Sequence, residues 1–295
     1  MMHYRPKRVK IKRHERLYAL LTTGLIFLTA LNNICVSQVA RDSTKISGNK
    51  SFFSKVGGDI SYVATSPFHI SKTEGIEFAS LIALSAGLVY GVDRPVDEEL
   101  AVEGYHDALK PAETLADLGY AYDQIGPTTV LAGATATLLM GGIIFKDRKL
   151  LETTRLVIES ALITGVITWT SKGLFSRSRP YTDESTKDFH FFKFSSTHKY
   201  NSFPSGHSSN IFSLVTVITK QYPTWWLKVP AYTLAVSVGL QRIDDRQHWT
   251  SDVLVGSLLG YWVGSRLVHR YHEKSGGISI SPYFQGTQIG MRFAF

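Results

Sequence analysis

The chain has 295 residues, 44% of them hydrophobic, a formal charge of +8 and a single cysteine, which suits one large folded domain or two modest ones. Its mean hydropathy of −0.01 is low for a chain made mostly of membrane spans. The basic excess favours anionic partners, whether nucleic acid, a membrane surface or phosphorylated substrates. Part of it falls in the first sixteen residues, MMHYRPKRVKIKRHER, so it says less about the folded body.

That basic start runs into the apolar stretch Leu17–Leu31 and then into a polar segment with the small residues Ser37 and Ala40. This is the pattern of a signal peptide cleaved near Ser37–Ala40, with an uncleaved N-terminal anchor as the alternative. Cys35 lies in the same segment, behind Asn32-Asn33-Ile34, a poor fit to a lipoprotein cleavage site. A cleaved chain would hold no cysteine, which excludes disulfides and thiolate metal sites.

Residues 41–58 are polar and contain Gly and Ser, and they read as a linker. Apolar stretches follow at Ile76–Val92, Ile125–Phe145, Leu156–Ser171, Ile211–Thr219, Val229–Leu240 and Val253–Val268. Gly and Ala recur in them and no strand alternation or repeat interrupts them. The expected fold is all-α, a bundle of about six helices. Most of these stretches are shorter than the roughly 20 residues of a membrane span. The 93–124 connection is acidic, and the 146–155 connection carries Lys146, Arg148, Lys149 and Arg155, an asymmetry that fits a positive-inside membrane protein. Six spans that place 93–124 outside start residue 75 inside, whereas a cleaved signal peptide starts it outside. Integral membrane protein and membrane-associated or soluble envelope protein therefore both stay open. The tail, ISISPYFQGTQIGMRFAF, partly alternates around a turn at Gln285-Gly286-Thr287 and reads as a short C-terminal β-hairpin.

Three stretches carry chemistry. In Lys172-Gly-Leu-Phe-Ser-Arg-Ser-Arg179-Pro180, two cations seven apart share a face if the helix continues and suit an oxyanion. A solvated basic helix end is the plainer reading. In Pro204-Ser205-Gly206-His207, Gly206 lets backbone approach a ligand, free N–H groups at the helix start favour an anion, and His207 can donate a proton. An N-cap serine beside a structural histidine is the alternative. In Arg242-Ile-Asp-Asp-Arg-Gln-His248-Trp-Thr-Ser-Asp252, His248 and Asp252 are i,i+4, so a carboxylate bonded to one ring nitrogen leaves the other to attack. An exposed helical ion pair is the alternative.

Taken in order, Lys-x6-Arg-Pro, Pro-Ser-Gly-His and Arg-x5-His-x3-Asp resemble the type 2 phosphatidic acid phosphatase superfamily, which also holds class A acid phosphatases and vanadium haloperoxidases. The match runs from Lys172 to Asp252 at motif level. One departure is Gln241 before Arg242, where the family usually has Ser. The resemblance implies that His248 attacks phosphorus to form a phosphohistidine and that Asp252 orients it. His207 would protonate the leaving alkoxide, then activate water. Lys172, Arg179, Ser205, Gly206 and Arg242 would hold the phosphate oxygens, with no metal and no cofactor. His190 and His198 have no matching role.

The chain then divides into a signal peptide or N-terminal anchor at 1–40, a linker and entry segment at 41–75, a phosphatase helical domain at 76–274 and the hairpin tail at 275–295. The expected partner is a phosphorylated lipid or a small phosphate ester, with membrane association and no nucleic acid. The expected place is a bacterial-type envelope, with the site facing the periplasm. A soluble periplasmic acid phosphatase, a vanadium-dependent haloperoxidase and a non-enzymatic phosphate-binding scaffold are the competing readings. The loop 180–203, rich in Phe, is long enough to lie over the site.

Overall fold

The computed structural model describes residues 52–65, 83, 85–102, 110–195, 197–275, 279–285 and 288–294. The leader at 1–40, most of the linker and the first part of the Ile76–Val92 stretch lie outside the described residues.

The fold is an all-α bundle. Its helices are α1 (Phe52–Thr65), α2 (Lys110–Ile125), α3 (Pro127–Ile144), α4 (Arg148–Phe175), α5 (Gly206–Gln221), α6 (Trp225–Asp244) and α7 (Thr250–Ser275). Residues 85–91 are also helical, and a tight helical turn at Asp93–Val96 follows them. Local chemistry sets several ends. Pro127 opens α3 directly after Gly126, whose φ of 92° suits glycine. Asp147 caps α4, accepting from the Lys149 and Leu150 amides at 2.8 and 3.2 Å. That cap lets α4 begin at Arg148, inside the stretch read as a basic connection.

Two helices fall where none is expected. α1 occupies part of the 41–58 linker, because Asp59 and Val63, one turn apart, are both buried. α2 replaces the end of the acidic 93–124 connection. Its buried residues Ala116, Gly119 and Tyr122 form a narrow stripe three apart, whose small residues give little hydrophobic contrast in the sequence.

α5 is the central helix, with Ile211, Leu214, Val215, Val217 and Ile218 buried against Leu156 and Val157 of α4, Ala235 and Val238 of α6, and Val263 and Leu267 of α7. Gly256, Gly260 and Gly264 form a ridge on α7 that meets the backbone of Ser205, Ser209 and Ser213. A Cβ at Gly260 would stand 2.1 Å from the Ser209 carbonyl oxygen, so this approach of α5 to α7 requires glycine. The same contact brings the two N-termini together, and the Ser205 amide donates to the Asp252 carbonyl at 3.0 Å.

The outward faces are apolar. Leu139, Met140, Ile143 and Ile144 of α3, and Leu162, Val166 and Trp169 of α4, are all exposed. Pro127–Ile144 is long and apolar enough to cross a membrane, with a mean hydropathy of 1.5 and 17% of the span buried. At the end of the bundle away from the three motifs, Arg155 pairs with Asp59, Glu152 and Glu159 at 2.8, 2.7 and 2.6 Å. Arg270 joins Asp59 at 2.7 Å. This network explains a glutamate, Glu159, inside an apolar helix. At the C-terminus, β1 (Ser279–Gln285) pairs antiparallel with β2 (Gln288–Ala294); Gly286 and Thr287 lie outside the described residues.

Candidate active site

The ends of four helices gather the motif residues. α4 delivers Lys172 in its last turn, α5 starts at Gly206, α6 ends just past Arg242, and α7 starts two residues after His248. Lys172 stands three residues beyond the exposed Trp169 on α4, at the end of the exposed apolar face of that helix.

The shared helix face expected for Lys172 and Arg179 does not form. α4 stops at Phe175, and Ser176 takes a left-handed conformation with φ 39°, which turns the chain before Arg179. The two cations meet instead at one backbone oxygen: Lys172 Nζ donates to the Asn201 carbonyl at 2.5 Å and Arg179 Nη2 to the same oxygen at 3.2 Å. Arg179 also donates to the His198 carbonyl at 2.9 Å and to Gln247 Oε1 at 2.7 Å. Among the described residues neither cation has a carboxylate in ion-pair contact. Burial, reinforced by Arg179 beside it, pushes the Lys172 ammonium down to about 7, as expected of a desolvated cation that lacks an anion.

His248 and Asp252 are enclosed, with side chains 2% and 0% exposed. Their closest approach, His248 Nδ1 to Asp252 Oδ2, is 3.9 Å, outside hydrogen-bond range. The expected carboxylate–imidazole bond is thus not closed, because both carboxylate oxygens are taken. Oδ1 accepts from Arg177 at 2.5 Å, and Oδ2 accepts from Ser202 Oγ at 2.5 Å and the Trp249 amide at 3.0 Å. His248 Nδ1 is buried and has no hydrogen-bond partner among the described residues. Burial holds the His248 imidazole well below the usual histidine range, with Lys172 and Arg179 adding to it against the pull of Asp252. The ring is therefore neutral near pH 7. Burial raises the Asp252 carboxyl, but Arg177, His248 and Ser202 together outweigh it and keep the group well below the usual carboxylate range.

A Cβ at Gly206 would make ordinary van der Waals contact with Thr168 and the Lys172 stem, at 3.6 and 3.8 Å, which puts the lysine beside the start of α5. Ser205 caps that helix, its Oγ accepting from the Ser208 amide at 3.4 Å and from Ser208 Oγ at 3.1 Å. The capping role weighed in the sequence is therefore real, and the hydroxyl's own proton is left unassigned by these contacts. Gln241 does not reach toward a ligand. Its Nε2 donates to Asp245, and its Oε1 accepts from Arg242 Nε at 2.7 Å, so it positions Arg242.

Asp123 of α2 lies between His207 and Arg242, with Oδ1 at 3.3 Å from His207 Nε2 and Oδ2 at 2.9 Å from Arg242 Nη2. Sequence reading missed this residue, and also missed Arg177 inside the first motif. Asp123 was one of many acids in a presumed connection. Arg177 resembled another charge at a helix end, yet it is fully buried. His190 and His198 stay outside the cluster: His190 pairs with Asp188 at 3.0 Å, and His198 contributes its backbone oxygen to Arg179. Glu184, Asp188 and His190 bring their ligand atoms within 4.8 Å of one another, but Ser178 and Lys199 already satisfy the carboxylates. In the loop, Phe189 packs with Phe191 and Phe203, and Phe191, Phe192 and Phe194 are exposed.

The sequence model of the PAP2 superfamily matches residues 154–276, which contain all three motifs. Over 66 residues the chain is 41% identical to a lipid A 1-phosphatase of Porphyromonas gingivalis, covering 22% of this chain and 15% of that protein. Over 103 residues it is 27% identical to a lipid A 1-phosphatase of Rhizobium johnstonii, covering 35% and 41%. The chain thus spans well under two thirds of the length of these relatives. Among solved structures, Aquifex aeolicus LpxE superposes with a TM-score of 0.43 at 22% identity, over 61% of this chain and 96% of that one. A transmembrane PAP2 type phosphatidylglycerolphosphate phosphatase from Bacillus subtilis gives 0.42 at 20% identity, over 66% and 94%.

Proposed function

We propose that this chain, whose residues 154–276 match the sequence model of the PAP2 superfamily, is a phosphatase of lipid phosphate mono- or diphosphate esters that works through a phosphohistidine. The observation that carries this reading is a buried cationic pair, Lys172 and Arg179, with no carboxylate partner among the described residues, beside a neutral buried His248. An oxyanion complements such a pair in charge and in hydrogen bonding.

In the first step the free ring nitrogen of His248, Nε2, forms a bond to phosphorus while the phosphorus–ester oxygen bond breaks. Lys172, Arg179 and Arg242, with the Gly206 amide and the Ser205 hydroxyl, take up the negative charge of the equatorial oxygens. His207 gives its proton to the leaving alkoxide. In the second step water attacks phosphorus, His207 takes the water proton, the nitrogen–phosphorus bond breaks and inorganic phosphate departs. Asp252 stabilises the cationic imidazole in both. No step calls on a metal or a cofactor.

Two observations favour a lipid over a small soluble ester. The exposed apolar faces of α3 and α4 form a belt below the site. An apolar crevice of about 500 Å³ opens between α6 and α7, lined by Val236, Leu240, Ile243, Val253, Leu254 and Tyr261 among others. Ile243 and Val253 are next neighbours of Arg242 and Asp252. A phosphate head with a long apolar tail matches this pairing of cationic pocket and crevice. The relatives named for lipid A 1-phosphatase activity are consistent with that class. Lys146, Arg148, Lys149, Lys220 and Arg270 cluster at the far end of the helices. By the positive-inside rule this directs the site to the outer side of the membrane, the periplasm.

Phosphate release from a panel of lipid and soluble phosphates, with wild type beside His248→Ala and with or without chelator, tests the reading. Release that depends on His248, survives chelation and favours lipids is expected. Release undiminished in His248→Ala would overturn it.

A further inference from the structure

Arg177 stands between two carboxylates, and all three side chains are fully enclosed. Nη1 donates to Asp252 Oδ1 at 2.5 Å and to Ser251 Oγ at 2.7 Å. Nη2 donates to Asp93 Oδ2 at 2.7 Å, and Nε and Nη2 both reach the Thr186 carbonyl, at 3.0 and 2.5 Å. Asp93 in turn accepts from the Ser251 amide and hydroxyl at 2.8 and 2.6 Å. The rings of Phe189 and Trp249 cover the guanidinium, at 5.0 and 5.4 Å from their centroids.

A buried charge cluster is rarely the most stable way to fill such a space, and apolar side chains of similar volume often do as well or better. The bonds of this one run to the carboxylate beside the proposed nucleophile. Asp93 reaches it from the turn Asp93–Val96, upstream of the segment that matches the superfamily.

We propose that Arg177 and Asp93 are positioning residues: together they fix where the Asp252 carboxylate stands relative to His248 and how much of its negative charge the imidazole feels. Arg177 alone would cancel Asp252. Asp93 draws the guanidinium the other way and shares its charge, so that Asp252 stays an effective anion. Arg177 also holds Oδ1 in place, which leaves Oδ2 as the oxygen that faces His248, at 3.9 Å. When the imidazole becomes cationic in the transition state, a small shift closes that gap. The idea rests on the phosphatase reading for its effect on turnover, but the electrostatic coupling can be measured without it.

The charged groups around His248 and Asp252 are Lys172 from α4, Arg179 and Arg177 from the loop after it, and Asp93 behind Arg177. Removing Asp93's charge takes away a nearby anion and should lower the titration point of His248. Removing Arg177's charge takes away a cation and should raise it. A merely structural role predicts otherwise: loosening the site lets water in, which relieves burial and raises the titration point in both variants.

The experiment is NMR titration of ring-labelled histidine in the detergent-solubilised full chain, with His248 assigned by its loss in His248→Gln. Asp93→Asn should move the His248 titration down and Arg177→Gln up, each by about half a pH unit or more. In parallel, kcat should fall about tenfold in Asp93→Asn, while inhibition by inorganic phosphate stays within about twofold, because neither residue belongs to the phosphate cradle. Shifts of the same sign in both variants, or none, would overturn the proposal, whether or not the protein turns over any substrate. If the single variants do not fold, the uncharged double variant Arg177→Met/Asp93→Leu carries the test. A folded double variant with kcat lowered tenfold supports the assignment. Wild-type kcat, or failure of this variant also to fold, assigns the pair to stability alone and overturns it.

Discussion

Asp123 Oδ1 lies 3.3 Å from His207 Nε2, and its other oxygen lies 2.9 Å from Arg242 Nη2. One carboxylate on α2 therefore ties the proposed proton donor to a residue of the phosphate cradle. That contact holds the His207 ring in one orientation, which a general acid requires. Asp123→Asn should lower kcat about 10- to 100-fold on alkyl phosphates, whose leaving groups need a proton. The loss should shrink to a few-fold on p-nitrophenyl phosphate, whose leaving group needs none. Equal losses on both would show that Asp123 acts through Arg242 rather than through His207.

The cradle should also carry a pH signature. Burial and Arg179 push Lys172 down to about 7, so in the free protein the ammonium is charged below that pH and loses its proton above it. His248 moves down as well, so it stays neutral and nucleophilic below the usual histidine range. The kcat/KM profile should therefore fall on the alkaline side near pH 7 and hold on the acid side to below pH 6.5. Lys172→Arg keeps the charge throughout and should move the alkaline limb up by more than one pH unit. A limb that stays in place would free Lys172 of that role.

The site was legible in the sequence wherever residue type and spacing survive folding. Lys172, Arg179, Gly206, His207, Arg242, His248 and Asp252 meet at one end of the bundle because successive helices alternate in direction. What the sequence hid depends on distant chain contacts. Asp93, Asp123 and Arg177 are ordinary charged residues until folding encloses them, and no spacing rule links Asp93 to Ser251 across 158 positions. α2 escaped notice for a related reason. Its buried stripe, Ala116, Gly119 and Tyr122, is made of a small residue, a glycine and a tyrosine, which give little hydrophobic contrast. The 3.9 Å gap between His248 and Asp252 was equally out of reach, because it follows from competition by Ser202, Arg177 and Trp249 for one carboxylate.

The glycine ridge gives a stability test that is independent of chemistry. At Gly260 a Cβ would stand 2.1 Å from the Ser209 carbonyl oxygen, a backbone atom that cannot turn aside. Gly260→Ala should force α5 and α7 apart at a cost of about 1–3 kcal/mol, read as a fall of several degrees in Tm. Gly133→Ala on α3 is the control. Beyond its own stretch of helix, no described atom lies within 4 Å of its added methyl, and alanine is the better helix former by about 1 kcal/mol, so Tm should hold or rise. Equal behaviour of the two variants would deny the ridge its role.

The crevice between α6 and α7 separates the lipid reading from the soluble one. Leu254 lines it one turn into α7, two residues after Asp252. Leu254→Trp adds ring volume where an acyl chain would lie and leaves the polar groups of the phosphate site unaltered. KM for a long-chain lipid phosphate should rise about tenfold, in line with the loss of a few buried methylenes of contact at about 0.8 kcal/mol each. Both constants for a small soluble ester should stay within twofold. A wild-type KM for the lipid would place the chain elsewhere, along the exposed belt of α3 and α4. A parallel rise for both substrates would mean that the indole had disturbed the turn between α6 and α7 that carries His248, and the thermal stability of the variant would then fall with it.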